Sequence, residues 1–180
     1  MKELSLHILD IIQNSISAKA NNIYIKILED YKENIFNIII EDDGIGIKED
    51  VLKNILDPFT TTRKTRKVGL GLSLFKATAI RSGGDLKIDS KQNIGTKVSV
   101  KMEYDNIDRP PLGNIEETLI GVINSCGNSI NIKYVHEVND NIFVLDTEEI
   151  KAIIEDIDIN SSEVLLWLKE YIEENINNLY

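Results

Sequence analysis

Cysteine, proline and tryptophan are scarce in this chain. A single cysteine, Cys126, among 180 residues rules out an intramolecular disulfide. The thiol then reads as a small apolar residue in a reducing compartment. No stretch has the apolar length needed to span a bilayer. The first residues, Met1-Lys2-Glu3-Leu4-Ser5-Leu6-His7, are followed by Asp10 and lack both a long apolar core and a small-residue cleavage site. They do not form a signal peptide, and the expected location is cytoplasmic, with no membrane partner. There is also no basic excess: the formal net charge is −10.

That charge is unevenly spread. Residues 1–104 hold 16 Lys and Arg against 14 Asp and Glu, whereas residues 105–180 hold 4 against 16. An acidic surface repels phosphate backbones, so no nucleic-acid partner is expected. The length suits one domain with a small appendage, and 42% hydrophobic with 28% charged residues is ordinary for a globular protein.

Prolines cluster where the charge changes, in Asp108-Arg109-Pro110-Pro111-Leu112-Gly113. Regular structure stops there, which divides the chain into residues 1–104, a linker over 105–113 and a small acidic α+β domain over 114–180. In the first part, helical spacing covers Glu3–Ala18. Alternation marks strands at Ile23–Ile27 and Asn34–Gly44. A short helix over Lys48–Leu56, a polar loop over Asp57–Val68 and a helix over Gly69–Ser82 follow. Gly83-Gly84 stops that helix, and Leu86–Ser90 pairs with Thr96–Tyr104. The expected class is α/β, an α+β two-layer sandwich: a mixed, largely antiparallel sheet with helices on one face. The second part reads helix (Asn114–Ser125), strands (Ile130–Val138 and Ile142–Leu145), then helices Thr147–Glu155 and Ser161–Asn178. Asp146 and Asn160 or Ser161 suit helix N-caps. The stripe Leu165, Leu168, Ile172, Ile176 and Leu179 reads as core.

Several residues carry chemistry. Asn14 offers an amide oxygen suited to a hard cation such as Mg²⁺. Asp10 lies one turn earlier on the same side and can order or deprotonate a nucleophile. Asp42 shares strand parity with Phe36, Ile38 and Ile40, so it needs a partner, and a purine amine would supply one. Gly44 and Gly46 let the backbone turn sharply beside it. Gly69-Leu70-Gly71-Leu72 opens a helix, where free N–H groups and the dipole favour phosphate. Upstream, Thr60, Thr61, Thr62, Arg63, Lys64, Thr65, Arg66 and Lys67 make a basic, hydroxyl-rich lid. Thr96 shares parity with Val98, Val100 and Met102 and can bond a base or a water beside Asp42. Each feature alone is weak: a solvated helix face, an Asp-Gly turn, a basic loop, a β-branched strand residue. Their fixed order within about a hundred residues is what describes an ATP pocket. His7, three residues before Asp10, has two readings: a phosphoacceptor or proton shuttle, and the commoner satisfied structural residue. His136 is given no role.

As a set, these segments resemble the GHKL superfamily, the Bergerat-type ATP-binding fold of gyrase-type topoisomerases, the MutL mismatch-repair protein and sensor histidine kinases. Asp10–Asn14 resembles the N box, Asp42–Gly46 the first glycine box, and Asp57-Pro58-Phe59-Thr60-Thr61-Thr62 the kinase F box. Gly69–Leu72 is similar to the second glycine box and Gly95-Thr96 to the third. The resemblance covers residues 1–104. It implies that Asn14 holds Mg²⁺, that Asp42 reads the adenine amine and that the 60–71 loop folds over the triphosphate. The nucleotide would then meet Asn14, Asp42, Gly44, Gly46, Thr61, Thr62, Arg63, Lys64, Gly69, Leu70, Gly71, Leu72 and Thr96, with Asp10 catalytic. MutL-like proteins carry Glu where this chain has Asp10. No phosphoacceptor helix precedes the N box, so transfer to a separate protein partner is expected, a phosphoacceptor or a regulated enzyme. The whole chain also resembles small ATP-binding proteins of anaerobic bacteria, some encoded near redox enzymes, which implies a redox-related partner. The rival expectations are an ATP-gated switch that hydrolyses slowly and forms a homodimer, and a nucleotide-binding module without catalysis.

Overall fold

A computed structural model of the chain describes residues 2–52, 55 and 71–180. The elements run α1 (Leu4–Ser17), β1 (Asn22–Asp30), β2 (Ile35–Asp42), α2 (Glu49–Leu52), α3 (Gly71–Arg81), β3 (Asp85–Lys91) and β4 (Gly95–Glu103). They continue with α4 (Ile115–Cys126), β5 (Asn131–Val138), β6 (Asn141–Asp146), α5 (Thr147–Ile154) and α6 (Ser162–Asn177). All six strands form one sheet in the order β3-β4-β2-β1-β5-β6. Every pairing is antiparallel except β1 with β5, which is parallel.

The period of two fixes which residues enter the core. Ile25, Ile27 and Glu29 of β1 line up with Ile40, Ile38 and Phe36 of β2. Ile23, Ile25 and Ile27 line up with Ile132, Tyr134 and His136 of β5 on the other side. These side chains are all buried against the helix layer, with Leu4, Ile8, Ile12, Phe75, Leu119, Leu168 and Ile172 in the same cluster. The opposite face carries ion pairs, Lys26 with Glu137 at 2.8 Å, Lys97 with Glu41 at 2.6 Å and Lys133 with Asp146 at 3.0 Å. The hairpin of the C-terminal part thus builds no sheet of its own; it extends the sheet of the first part, and the two parts share one core cluster.

The segment 105–113 is folded against the first part. α1 has no side-chain cap at Glu3. Its Leu4 and Ser5 N–H groups instead donate to the carbonyls of Pro111 and Leu112, at 3.0 and 2.8 Å. Arg109 lays its guanidinium 4.6 Å from the Phe36 ring centre and 4.9 Å from that of Tyr104. Its Nε donates to the Tyr104 carbonyl at 2.6 Å. Turn chemistry is local: Asn34, Asn93 and Asn139, one in each hairpin, adopt positive φ, a region that asparagine tolerates. Asn114 and Asp146 cap α4 and α5 through their side chains. Ser161 stands at the N-cap of α6 without a cap bond, and its hydroxyl is buried without a partner among the described residues.

Two histidines are core residues. His7 is 1% exposed and stacks on Phe75 of α3, ring centres 4.5 Å apart and 9° from parallel. Its Nε2 lies 3.5 Å from the Thr78 hydroxyl, and Nδ1 has no partner among the described residues. Burial holds its pKa down to about 4. This is the structural reading of His7; a ring stacked inside the helix layer is not presented as a phosphoacceptor. His136 is fully buried, with Nδ1 2.9 Å from the Tyr134 hydroxyl and Nε2 2.9 Å from Glu29 Oε1. The Tyr180 hydroxyl donates to the same Glu29 oxygen at 2.6 Å. This network ties β1, β5 and the last residue together.

Two outcomes follow. The unfolded chain protonates His7 below its ordinary value of 6.5 while the folded chain resists until about 4. Stability therefore falls as pH drops through that window, by on the order of 1–2 kcal/mol by pH 5. Urea unfolding of His7→Phe between pH 7 and 5 is expected to show a shallower loss than wild type. Separately, Tyr180→Phe should cost about 1 kcal/mol, and Glu29→Ala about 2 kcal/mol or more because it strands His136 Nε2 in the core.

Candidate functional site

The motif residues converge at one end of the sheet, where β2 finishes and β4 begins. α1 buries Ile8, Ile11, Ile12 and Ser15, which leaves Asp10 and Asn14 half-buried one turn apart. Among the described residues the Asn14 side chain has no hydrogen-bond partner. Among the described residues there is no cluster of three or more His, Cys, Asp or Glu that could hold a metal. The chemistry of the Asn14 amide oxygen suits an Mg²⁺ ion that draws most of its ligands from phosphates and water.

Asp10 faces the start of α3. A Cβ added at Gly71 would lie 2.7 Å from Asp10 Oδ2. The N box and the second glycine box therefore meet, and any side chain at 71 would displace the carboxylate. Leu72, by contrast, is 5% exposed and belongs to the core cluster, where Phe75 and Ala79 accompany it. Its side chain packs α3 into that core.

Asp42 has the partners that its parity demands. The buried Ser15 hydroxyl donates to Oδ2 at 2.7 Å, with the Ile11 carbonyl at 3.2 Å, and the Gly44 N–H donates to Oδ1 at 2.9 Å. Asp43 does different work. It accepts from the backbone N–H groups of Asn21 and Asn22 at 2.7 and 2.9 Å and from the Asn22 side chain at 2.7 Å. Burial alone would raise its carboxyl, but these hydrogen bonds hold it below the usual carboxylate value. One aspartate of the pair faces the site; the other pins the loop to the turn after α1.

Two glycines are required by close approach. Gly95 has φ +145 and Gly46 φ +64. A Cβ at Gly95 would collide with the Asp42 carbonyl, and one at Gly46 with the Lys91 carbonyl. The first and third glycine boxes are thus packed backbone to backbone. Thr96 is the cross-strand partner of Asp42, and Ser90 that of Thr96. The Ser90 hydroxyl lies 2.9 Å from the Thr96 hydroxyl, donates to the Gly95 carbonyl at 3.0 Å and accepts from the Ile47 N–H at 2.9 Å. A cleft of about 450 Å³ opens here, lined among others by Asp42, Leu52, Ile88, Ser90, Gly95 and Thr96. Its size and its mixture of apolar wall and a few polar groups suit a small molecule.

Thr61, Thr62, Arg63, Lys64, Gly69 and Leu70 lie outside the described residues, as does the rest of the expected lid. Sequence reasoning missed Ser15 and Ser90. Ser15 follows Asn14 on the buried side of α1, and Ser90 continues the inward parity of Leu86 and Ile88, so the signal present was a hydroxyl at a core-facing position.

Residues 2–106 match the family model described as Histidine kinase-, DNA gyrase B-, and HSP90-like ATPase. The sensor protein KdpD of Clostridium acetobutylicum is 37% identical over 95 residues, 49% of this chain and 10% of that protein. The sensor histidine kinase WalK of Bacillus subtilis is 30% identical over 102 residues, 53% of this chain and 17% of its own length. The chain thus spans a small fraction of these curated relatives. Among solved structures, the Aquifex aeolicus MutL ATPase domain complexed with ADP shares the fold with a TM-score of 0.51 at 11% identity, covering 86% of this chain and 70% of that one. The N-terminal domain of a DNA repair protein gives a TM-score of 0.55 at 15% identity, covering 81% of this chain and 53% of that one. With more than half of its length matched by the family model, the chain belongs to the histidine kinase-, DNA gyrase B- and HSP90-like ATPases.

Proposed function

We propose that the chain is a cytoplasmic Mg-ATP-binding module of the histidine-kinase type that transfers the γ-phosphate to a separate protein partner. The observation that carries the reading is the Asp42 carboxylate, held by Ser15 and Gly44 at a cleft beside its cross-strand partner Thr96. A fixed acceptor there suits the exocyclic amine of adenine. Likeness to sensor kinases over the matched half supports kinase chemistry over other uses of ATP.

The residues' tasks follow from position. Asn14 would hold the cation together with phosphate oxygens, and Mg²⁺ when bound supplies charge neutralisation across the phosphates. The backbone N–H groups at the start of α3 would receive phosphate oxygens. Asp10, against Gly71 at that same helix start, is the base. The acceptor atom attacks the γ-phosphorus, the bond to the β–γ bridging oxygen breaks with ADP leaving, and Asp10 takes the acceptor's proton. Thr61, Thr62, Arg63 and Lys64, with Gly69 and Leu70, would cover the triphosphate. The acceptor is a protein, and a redox enzyme or its regulator is the partner class that we favour.

A second reading is an ATP-gated switch in a homodimer, like other ATPases of the family. The observation that favours it is mechanical: segment 105–113 is bonded to the start of α1, so a shift of the helix that carries Asp10 and Asn14 would pull on the C-terminal part.

Calorimetry with Mg-ATP tests the site. Wild type should bind, and Asp42→Asn should weaken binding by about tenfold or more, since an amide cannot keep both acceptor positions. Unaltered affinity in Asp42→Asn would remove the adenine assignment. Asp10→Asn separates binding from chemistry. It should retain ATP affinity and lose transfer from γ-labelled ATP by about a hundredfold or more. Label moving onto a second protein supports the kinase; phosphate release alone supports the switch; turnover unchanged in Asp10→Asn would exclude Asp10 as base.

A further inference from the structure

We propose that Ser90 is a positioning residue that fixes the hydrogen-bond polarity of Thr96, and so makes the base-reading end of the cleft select for a donor edge. The inference rests on the adenine reading of Asp42 and goes beyond it, to a residue outside every glycine box.

Proton counting carries it. A serine hydroxyl has one hydrogen to give and two lone pairs to fill. The Ser90 hydrogen goes to the Gly95 carbonyl, 3.0 Å away. One lone pair takes the Ile47 N–H at 2.9 Å. All three contacts are hydrogen bonds only if the one with the Thr96 hydroxyl at 2.9 Å uses the second lone pair, which makes Thr96 the donor. Thr96 has spent its only hydrogen on Ser90 and offers the cleft lone pairs alone. Asp42, its cross-strand partner, offers only carboxylate oxygens, one bonded by Ser15 and the other by the Gly44 N–H.

Two acceptors that converge on the exocyclic position can take both hydrogens of an amine and can pair with no carbonyl there, although the N1–H of hypoxanthine and guanine, one atom away, stays a donor. Hypoxanthine and guanine place an oxygen where adenine places its amine. Against that oxygen, neither Asp42 nor Thr96 has a hydrogen to give, and a group left facing another acceptor loses affinity. Ser90 thereby contributes to selectivity without touching the base. Its three bonds also join the loop after the first glycine box to the third, so a purely structural role is the alternative to be separated.

The experiment measures Kd for Mg-ATP and Mg-ITP by calorimetry on the full chain. In Ser90→Ala the Thr96 hydrogen is released and can turn to the inosine oxygen. The preference for ATP over ITP should shrink by about tenfold, with ATP affinity changed less than ITP affinity. Ser90→Thr, which keeps the hydroxyl, should retain the wild-type preference. Thr96→Val should narrow the preference too, and adding Ser90→Ala to it should change the preference no further. The proposal is overturned if Ser90→Ala weakens ATP and ITP by one common factor, the signature of a structural role. It is equally overturned if the preference stays as in wild type, or if Thr96→Val widens it. Should Ser90→Ala fail to fold, Thr96→Val decides alone. A wild type that binds neither nucleotide would overturn the adenine reading itself, whereas a wild type that binds ATP with an unaltered preference in Ser90→Ala overturns only the role of Ser90.

Discussion

A helix that supplies no cap for itself must find acceptors elsewhere, and α1 finds them in Pro111 and Leu112. The first N–H groups of a helix are otherwise orphaned, and here the helix is also buried against β2, α3 and α4. That same helix presents Asp10 and Asn14. The proline-rich segment that looks like a tether is therefore part of what sets the position of the site. Arg109, laid over Phe36 and Tyr104, fastens the segment to β2 and to the residue that follows β4.

The site itself is built by backbone contact. Gly95 against the Asp42 carbonyl and Gly46 against the Lys91 carbonyl leave no room for side chains, so the loop and strands are registered by collision rather than by packing choice. Hydroxyls then saturate what remains. Ser15 fixes one oxygen of Asp42, and Ser90 ties Ile47, Gly95 and Thr96. A carboxylate with that much support is preorganised for a ligand that has a complementary donor.

Local pattern was enough to read the elements. The alternation through Ile23, Ile25 and Ile27, the spacing through Leu4, Ile8 and Ile11, and the stripe through Leu168 and Ile172 each reach the core as expected. The order of segments was enough to bring Asp42, Gly95 and Thr96 together, because they owe their proximity to the pairings of β4 with β2 and β3. Long-range choices were not legible. Nothing in the residues of β5 states that it will pair with β1, and nothing in Pro111 states that its carbonyl will cap Leu4. Leu72 shows the limit of a motif: its neighbour Gly71 meets Asp10, while its own side chain is needed by the core. Ser15 and Ser90 were passed over because a serine on a core-facing position looks like a small filler until its partners are known.

The parallel pairing of β1 with β5 has a consequence for how the chain comes into being. Synthesis delivers β1, β2, β3 and β4 early, and the third glycine box leaves the ribosome before β5 exists. Until Asn131 arrives opposite Asn22, the outer edge of β1 is a row of unpaired N–H and C=O groups, open to any passing strand. Earlier in the same order of synthesis, until residues 111 and 112 emerge, α1 is without its acceptors at Pro111 and Leu112. The family match ends at residue 106, upstream of both. The stretch that carries every nucleotide motif is therefore only part of the sheet; the nascent chain must be carried through β5 before the outer edge of β1 is paired.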